Sequence, residues 1–235
     1  MARAPSAAVR GLIVNADDFG LSPGVNLGIS KAHREGIVTS TSLLVNAPFS
    51  EHAAALSAEM PRLSIGLHAD LSLAVAESDP RRAEAICREE LERQIARFDS
   101  LTGRRPTHLD SHHNAHRHRD LSGPFVQFGE LQELRVREHC DVEYVSTFYG
   151  HWGGRSHPEQ ASFAGLEDTL RTNGSRLIEL ACHPGFCDAE LRSSYRHERE
   201  IELRTLCDER LPRLLDELGF SLLDSELQRQ TRQRE

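Results

Sequence analysis

GLIVNADDFGLSPGVNLGISKAHREG, residues 11–36, decides the architecture. An apolar run, Gly11–Ala16, stops at the adjacent pair Asp17-Asp18, as a buried strand does when it reaches an edge. Ser22-Pro23 follows, a helix N-cap and then proline at the first helical position. The spacing predicts a helix to about Arg34, with Gly36 as its stop.

The same strand-then-helix unit recurs along the chain. Thr39–Val45 reads as a second strand before a helix over roughly Ser50–Glu59, and Ser64–Leu71 as a third before the charged helix Pro80–Leu101, ended by Gly103. Thr107–Ser111 is the fourth strand. Ser122-Gly123-Pro124 then opens a helix to about His139. Val142–Thr147 is the fifth, trailed by the loop FYGHWGG (148–154) and a helical stretch around Pro158–Asn173. Arg176–Cys182 is the sixth, broken by His183-Pro184-Gly185; a helix over Arg196–Leu218, interrupted near Pro212, leads to a short last strand at Phe220–Leu223. Alternation at this spacing makes a mostly parallel sheet, either a (β/α) barrel or an open doubly wound sheet. About seven parallel strands rather than eight suit a distorted or incomplete barrel.

At 235 residues and 38% hydrophobic content the chain can bury one sizeable core, so a single domain over 1–235 is expected, with its core at about 11–223 and a polar tail, LQRQTRQRE, at 227–235. The net charge of −8 and the lack of a basic run argue against nucleic acid. MARAPSAAVR has no apolar segment of the signal-peptide kind, and no apolar run is long enough to span a bilayer. Five cysteines, an odd number with no CxxC pair, read as reduced thiols, and the expected location is the cytoplasm. Oligomeric state has no sequence signature here; a homodimer is the expected assembly.

The chain has 13 histidines, and five of them (His108, His112, His113, His116, His118) fall in the run THLDSHHNAHRH at 107–118. On an extended segment His108, Asp110 and His112 share a face. Neutral imidazole is the commonest metal ligand, and two histidines with a carboxylate leave coordination positions open for water and substrate. Other groups of this kind stand at strand ends: Asp17 and Asp18 at the first, His68 at the third, His183 at the sixth. In parallel α/β folds those ends converge on one face. Of the aspartate pair, one is suited to a metal and the other stays free; His183 suits a general acid. Alone, each also has a plain reading as a turn residue or a buried histidine. Cys182 is expected to face the packing rather than to act as a nucleophile.

NADDFG (15–20), SxGVNxGI (22–29), GIVTSTSLLVNAP (36–48), GLH (66–68), THLDSHHNAH (107–116) and CHPGF (182–186), in this order, resemble the YdjC-like (ChbG-type) carbohydrate deacetylase family over about residues 12–190. The resemblance implies a distorted (β/α) barrel akin to polysaccharide deacetylases, one divalent metal (Mg or Zn), and hydrolysis of an acetyl group from an N-acetylated sugar or chito-oligosaccharide. By position it implies Asp18, His68 and His112 as metal ligands, Asp17 as general base and His183 as catalytic acid, with His108 and His113 as reserve ligands. Asn114 stands where the family usually has a third consecutive histidine, which affects substrate contacts rather than His112. The Phe148–Trp152 loop is expected to stack on a sugar ring. A metal-dependent phosphoesterase, which needs two metals, and a non-enzymatic metal-binding protein are the competing readings.

Overall fold

The computed structural model describes residues 10–223. The N-terminal segment read for a signal peptide, apart from Arg10, and the tail 227–235 lie outside them. In chain order the strands are β1 (Arg10–Phe19), β2 (Ser40–Leu43), β3 (Ser64–Ala69), β4 (His108–Ser111), β5 (Arg135–Val136), β6 (Glu143–Val145), β7 (His151–Trp152), β8 (Arg155–Ser156), β9 (Leu177–Cys182) and β10 (Phe220–Leu222). The helices are α1 (Pro23–Glu35), α2 (Ser50–Ala58), α3 (Ser72–Ala76), α4 (Pro80–Thr102), α5 (Ser122–Leu131), α6 (Phe163–Thr172), α7 (His197–Leu206) and α8 (Leu211–Leu218), with a 3-10 turn over His112–Arg117.

Local chemistry accounts for the helix ends. The Ser22 hydroxyl accepts from the Val25 N–H at 3.2 Å, and the Asp79 carboxylate accepts from the N–H groups of Arg81 and Arg82. Gly103 closes α4 in the left-handed conformation that glycine adopts without a steric penalty.

Seven strands run in the order β5-β4-β3-β2-β1-β9-β6, every neighbouring pair parallel. An eighth, β10, pairs with Arg10–Leu12, on the edge of β1 that β2 reaches only from Asn15 onward. Strands β5 and β6 end the order and do not pair among the described residues, so the sheet is an incomplete (β/α) barrel, as expected. Its helix-facing side is apolar. Leu12, Val14, Leu67, Leu109, Ile178 and Leu180 pack with Val25 and Ile29 of α1, Leu91 and Phe98 of α4, Phe125 of α5 and Leu166 of α6. Among the described residues no helix is long and apolar enough to cross a membrane.

Four local expectations are corrected. The helix expected to reach His139 ends at Leu131, and Arg135–Val136 instead lengthens the sheet beside β4. The loop 148–154 contributes to a two-stranded hairpin, β7–β8, and a short α3 follows β3. Strand β1 runs on through Asp17-Asp18 to Phe19. Its register against β2 shifts between Ala16 and Phe19, and Asp18 has φ +70°, a left-handed value that Asp tolerates better than most residues. Alternation along a regular strand would point the two carboxylates apart; the bulge turns both toward the lumen.

Candidate active site

The lumen side of the strands is polar. Asn15 donates to Asp17 Oδ1 at 2.8 Å and to Ser42 Oγ at 2.7 Å, and Ser42 donates to Asp110 Oδ2 at 2.6 Å. Arg137, just past β5 and 1% exposed, holds three carboxylates together. It donates to both oxygens of Asp17 at 2.8 Å, to Glu179 Oε1 at 2.7 Å, and lies 2.7 Å from Asp110 Oδ2. Arg135 pairs with the second oxygen of Glu179. These ion pairs join β5 to β1, β4 and β9 across the lumen.

A cavity of about 620 Å³ opens over this network, lined by Asp17, Asp18, His68, His112, His113, Tyr144, Tyr149, His183, Tyr195 and Arg199, among others. The structure brings Asp18, His68 and His112 together: one donor atom from each lies within 4.8 Å of the others. His68 Nε2 is 3.5 Å and His112 Nδ1 3.1 Å from Asp18 Oδ1. Ligands about 2.0–2.2 Å from a common ion stand about 3–3.5 Å apart, so these separations suit one cation. The other nitrogen of His68, Nδ1, contacts Asp110 Oδ1 at 2.7 Å, the carboxylate–histidine arrangement that fixes the tautomer and raises the basicity of a ligating imidazole. Among these ion-paired groups four carboxylates (Asp17, Asp18, Asp110, Glu179) meet three guanidinium groups (Arg135, Arg137, Arg199), an excess of one negative charge. Burial alone would push the His68 pKa down, but Asp110, Asp18 and Asp17 outweigh it and raise it to about 10. A proton on His68 or a cation beside it therefore balances the surplus charge. A second set of donors, Asp17, His68 and Asp110, also lies close together, but the Arg137 guanidinium already contacts both of its carboxylates.

His183 enters from the loop after β9. Its Nε2 is 4.0 Å from Asp17 Oδ2, and its ring stands edge-on to Tyr149 and Tyr195 at 5.4 and 5.6 Å. Burial holds it down to about 4 despite Asp18 and Asp17, so it is neutral at pH 7. Burial also acts against ionisation of Asp17, yet Arg137 prevails and keeps the carboxylate well below its usual range. The loop is seated against α1 by glycines: a Cβ on Gly28 would lie 2.5 Å from the Gly185 Cα, so only glycine permits the contact.

The remaining histidines divide. His108 shares the inward face with Asp110, but it packs in the lumen with Ser42 at 3.2 Å and outside both groups of converging donors. Its ring fills the space that a Cβ on Gly66 would take. His113 lies against His112, tilted by 40° at 3.8 Å between ring centres. His116 is fully buried between Ser111 and Glu138, and His118 is exposed. Of the aromatic loop, Phe148 and Tyr149 line the cavity, whereas Trp152 stacks on His157 at 3.7 Å in the hairpin and is not part of the lining. Cys182 is buried with its thiol toward the Asn15 carbonyl, and Asn114 lines the cavity. Arg137 and Arg199 were not legible as site residues. Glu179 carried one signal, a lone charge inside the apolar run LIELAC.

Known proteins share this construction. A crystal structure from Enterococcus faecalis V583, assigned by name to cellobiose-phosphate cleavage, superposes with TM-score 0.74 at 26% identity, covering 93% of this chain and 98% of that one. A family 4 carbohydrate esterase from Streptomyces lividans, solved with acetate, shares the fold at TM-score 0.56 and 12% identity, over 92% and 93% of the two chains. The chitooligosaccharide deacetylases of Serratia marcescens and Proteus mirabilis are 37% and 36% identical over 90% of this chain and 96% of theirs. The YdjC-like protein family model matches residues 11–217, from β1 through nearly all of α8, and so includes every residue of the cavity described above. On that match and those relatives, the chain belongs to the YdjC-like family.

Proposed function

We propose that this chain is a hydrolase that removes the acetyl group from an N-acetylated sugar, chito-oligosaccharides included, using one divalent cation held by Asp18, His68 and His112. The observation that carries the reading is the convergence of one carboxylate and two imidazole donors, with Asp17 and His183 beside them on the same cavity. The relatives' activity on chito-oligosaccharides agrees with it.

Bound there, a divalent cation supplies Lewis acidity toward the amide carbonyl and makes water a nucleophile near neutral pH. The chain's own groups do the rest. Asp17, ionised beside Arg137, accepts the proton that water loses on attack. Its guanidinium and Asn15 contacts fix the carboxylate's direction: Oδ1 accepts from both Asn15 and Arg137, while Oδ2 accepts from Arg137 alone and keeps a free lone pair. An amide nitrogen does not depart as an anion at neutral pH, so it must be protonated as the bond breaks. His183 is neutral at rest, and its Nε2 lies 4.0 Å from Asp17 Oδ2. The proton taken from water can therefore pass to the imidazole and on to the amine, while the hydroxide stays with the acetyl carbon as acetate. Tyr149, Tyr195 and Tyr144 give the cavity an aromatic wall suited to the apolar face of a pyranose.

The test is acetate release from a panel of N-acetylated mono- and oligosaccharides, with each metal added back to stripped protein. Asp17→Asn and His183→Ala should bind one cation per chain and lose about 10²–10⁴-fold in turnover. Unchanged turnover in either variant rejects the role given to that residue. Two cations per chain would favour the phosphoesterase reading instead.

A further inference from the structure

The His183 imidazole is held by few side-chain contacts of its own. Its Nδ1 is buried and has no hydrogen-bond partner, so its placement depends on its backbone and on the rings around it. Both trace to one helix. On α7, Glu202 is fully buried and accepts two hydrogen bonds: Oε2 from the His183 backbone N–H and Oε1 from the Tyr195 hydroxyl. The Tyr195 oxygen in turn accepts from the Gly150 N–H at 2.9 Å, tying in the loop that carries Tyr149. Tyr195 and Tyr149 stack at 4.6 Å and form the two rings edge-on to the imidazole.

One turn earlier on α7, Arg199 reaches the same loop. Its Nε donates to the Tyr195 carbonyl at 3.0 Å, its Nη1 to the His183 carbonyl at 3.4 Å, and its Nη2 to Asp18 Oδ2 at 2.5 Å. The N–H and C=O of His183 are thus both gripped from α7, while Asp18 is held by the oxygen that faces away from His68 and His112.

The geometry points to Glu202 and Arg199 as positioning residues for the deacetylase reaction, with Glu202 setting the place of the His183 imidazole and Arg199 tying that loop to Asp18. The assignment rests on the deacetylase reading for its catalytic consequence, though not for its structural one. Glu202 bonds the His183 backbone rather than its imidazole and none of the cation donors, so it acts through the His183 main chain and Tyr195. An imidazole displaced by about 1 Å from the leaving nitrogen costs on the order of 10²-fold in rate.

The decisive variant is Glu202→Gln, which keeps shape but offers one acceptor oxygen where two are used. An N-acetylated sugar needs a proton on its leaving amine, whereas p-nitrophenyl acetate releases a phenolate that leaves without one. The expected result is a fall in kcat of about 10²-fold on the sugar amide, with KM unchanged and p-nitrophenyl acetate turnover retained. In the metal-free protein the ¹⁵N resonances of the His183 imidazole should shift. Loss of both activities together, or of neither, overturns the assignment. If the wild type releases no acetate from any sugar amide, the deacetylase reading falls, and the metal-free resonances still decide the point: unshifted signals refute the role of Glu202. Should Glu202→Gln not fold, Tyr195→Phe removes one of the two bonds and should show a smaller loss of the same selectivity. Equal effects on amide and ester there overturn the assignment too.

Discussion

Arg137→Met tests how the lumen is held together. The guanidinium is 1% exposed and is the shared partner of Asp17, Asp110 and Glu179, with contacts of 2.7–2.8 Å to each. Methionine fills much of the volume but leaves three buried carboxylates with two cations to answer them: Arg135, which reaches Glu179 alone, and the His68 imidazole, which contacts Asp110. Removing one partner of a buried ion pair costs about 3–5 kcal/mol, because the other charge is left uncompensated away from water. Three carboxylates share the loss here, so the upper part of that range is expected. Domains of this kind are stable by about 5–15 kcal/mol in all. With an m-value of about 2 kcal/mol/M in urea, the unfolding midpoint should fall by about 2 M. The assay is urea unfolding of the metal-free protein, followed by fluorescence and far-UV circular dichroism. The same substitution combined with Asp17→Asn and Asp110→Asn should recover much of the loss, since the neutral amides carry no stranded charge and Glu179 keeps Arg135 as its partner. A midpoint displaced by less than about 0.5 M in the single variant would refute the reasoning. So would a combined variant less stable than Arg137→Met.

Two further outcomes follow from the same network. Asp110→Asn removes the carboxylate that orients His68, and metal affinity measured against a competing chelator should weaken by about 10–100-fold; wild-type affinity would show that Asp110 does not support the ligand. The pKa of Glu179 is held down to about 2, where burial alone would raise it and Arg135 and Arg137 overcome that cost. A depressed carboxylate contributes stability that is present above its unfolded-state value of 4.5 and lost as pH falls toward 2. The urea midpoint should therefore drop between pH 5 and pH 3, with a shallower slope in Glu179→Gln, and identical slopes would remove Glu179 as a cause.

The polar ends of the strands were legible because strand periodicity and residue type are local. Asp17-Asp18 after GLIVNA, His68 after SIGL and His183 after RLIELAC each mark where an apolar run stops, and parallel topology requires those stops to meet. The short strand at Arg135–Val136 was not legible: two residues carry no periodicity, and that stretch is a strand only because β4 offers an unpaired edge. The histidine cluster overstated its case for the same reason. His108 and Asp110 do share a face, but nothing local says that Gly66 leaves room for the His108 ring in the lumen.

The sequence by itself determined the alternating architecture, the open barrel and the residues able to bind a cation, since hydrophobic patterning, caps and side-chain chemistry reside in the chain's own order. Tertiary structure alone decided which donors converge, that a bulge with Asp18 at φ +70° turns both aspartates inward, that Arg137 and Arg199 leave the solvent to hold them, and that Glu202 does so to hold the His183 loop. An arginine reads the same on a solvated helix as in a barrel lumen. What separates the two is which carboxylates surround it, and they come from strands far away along the chain.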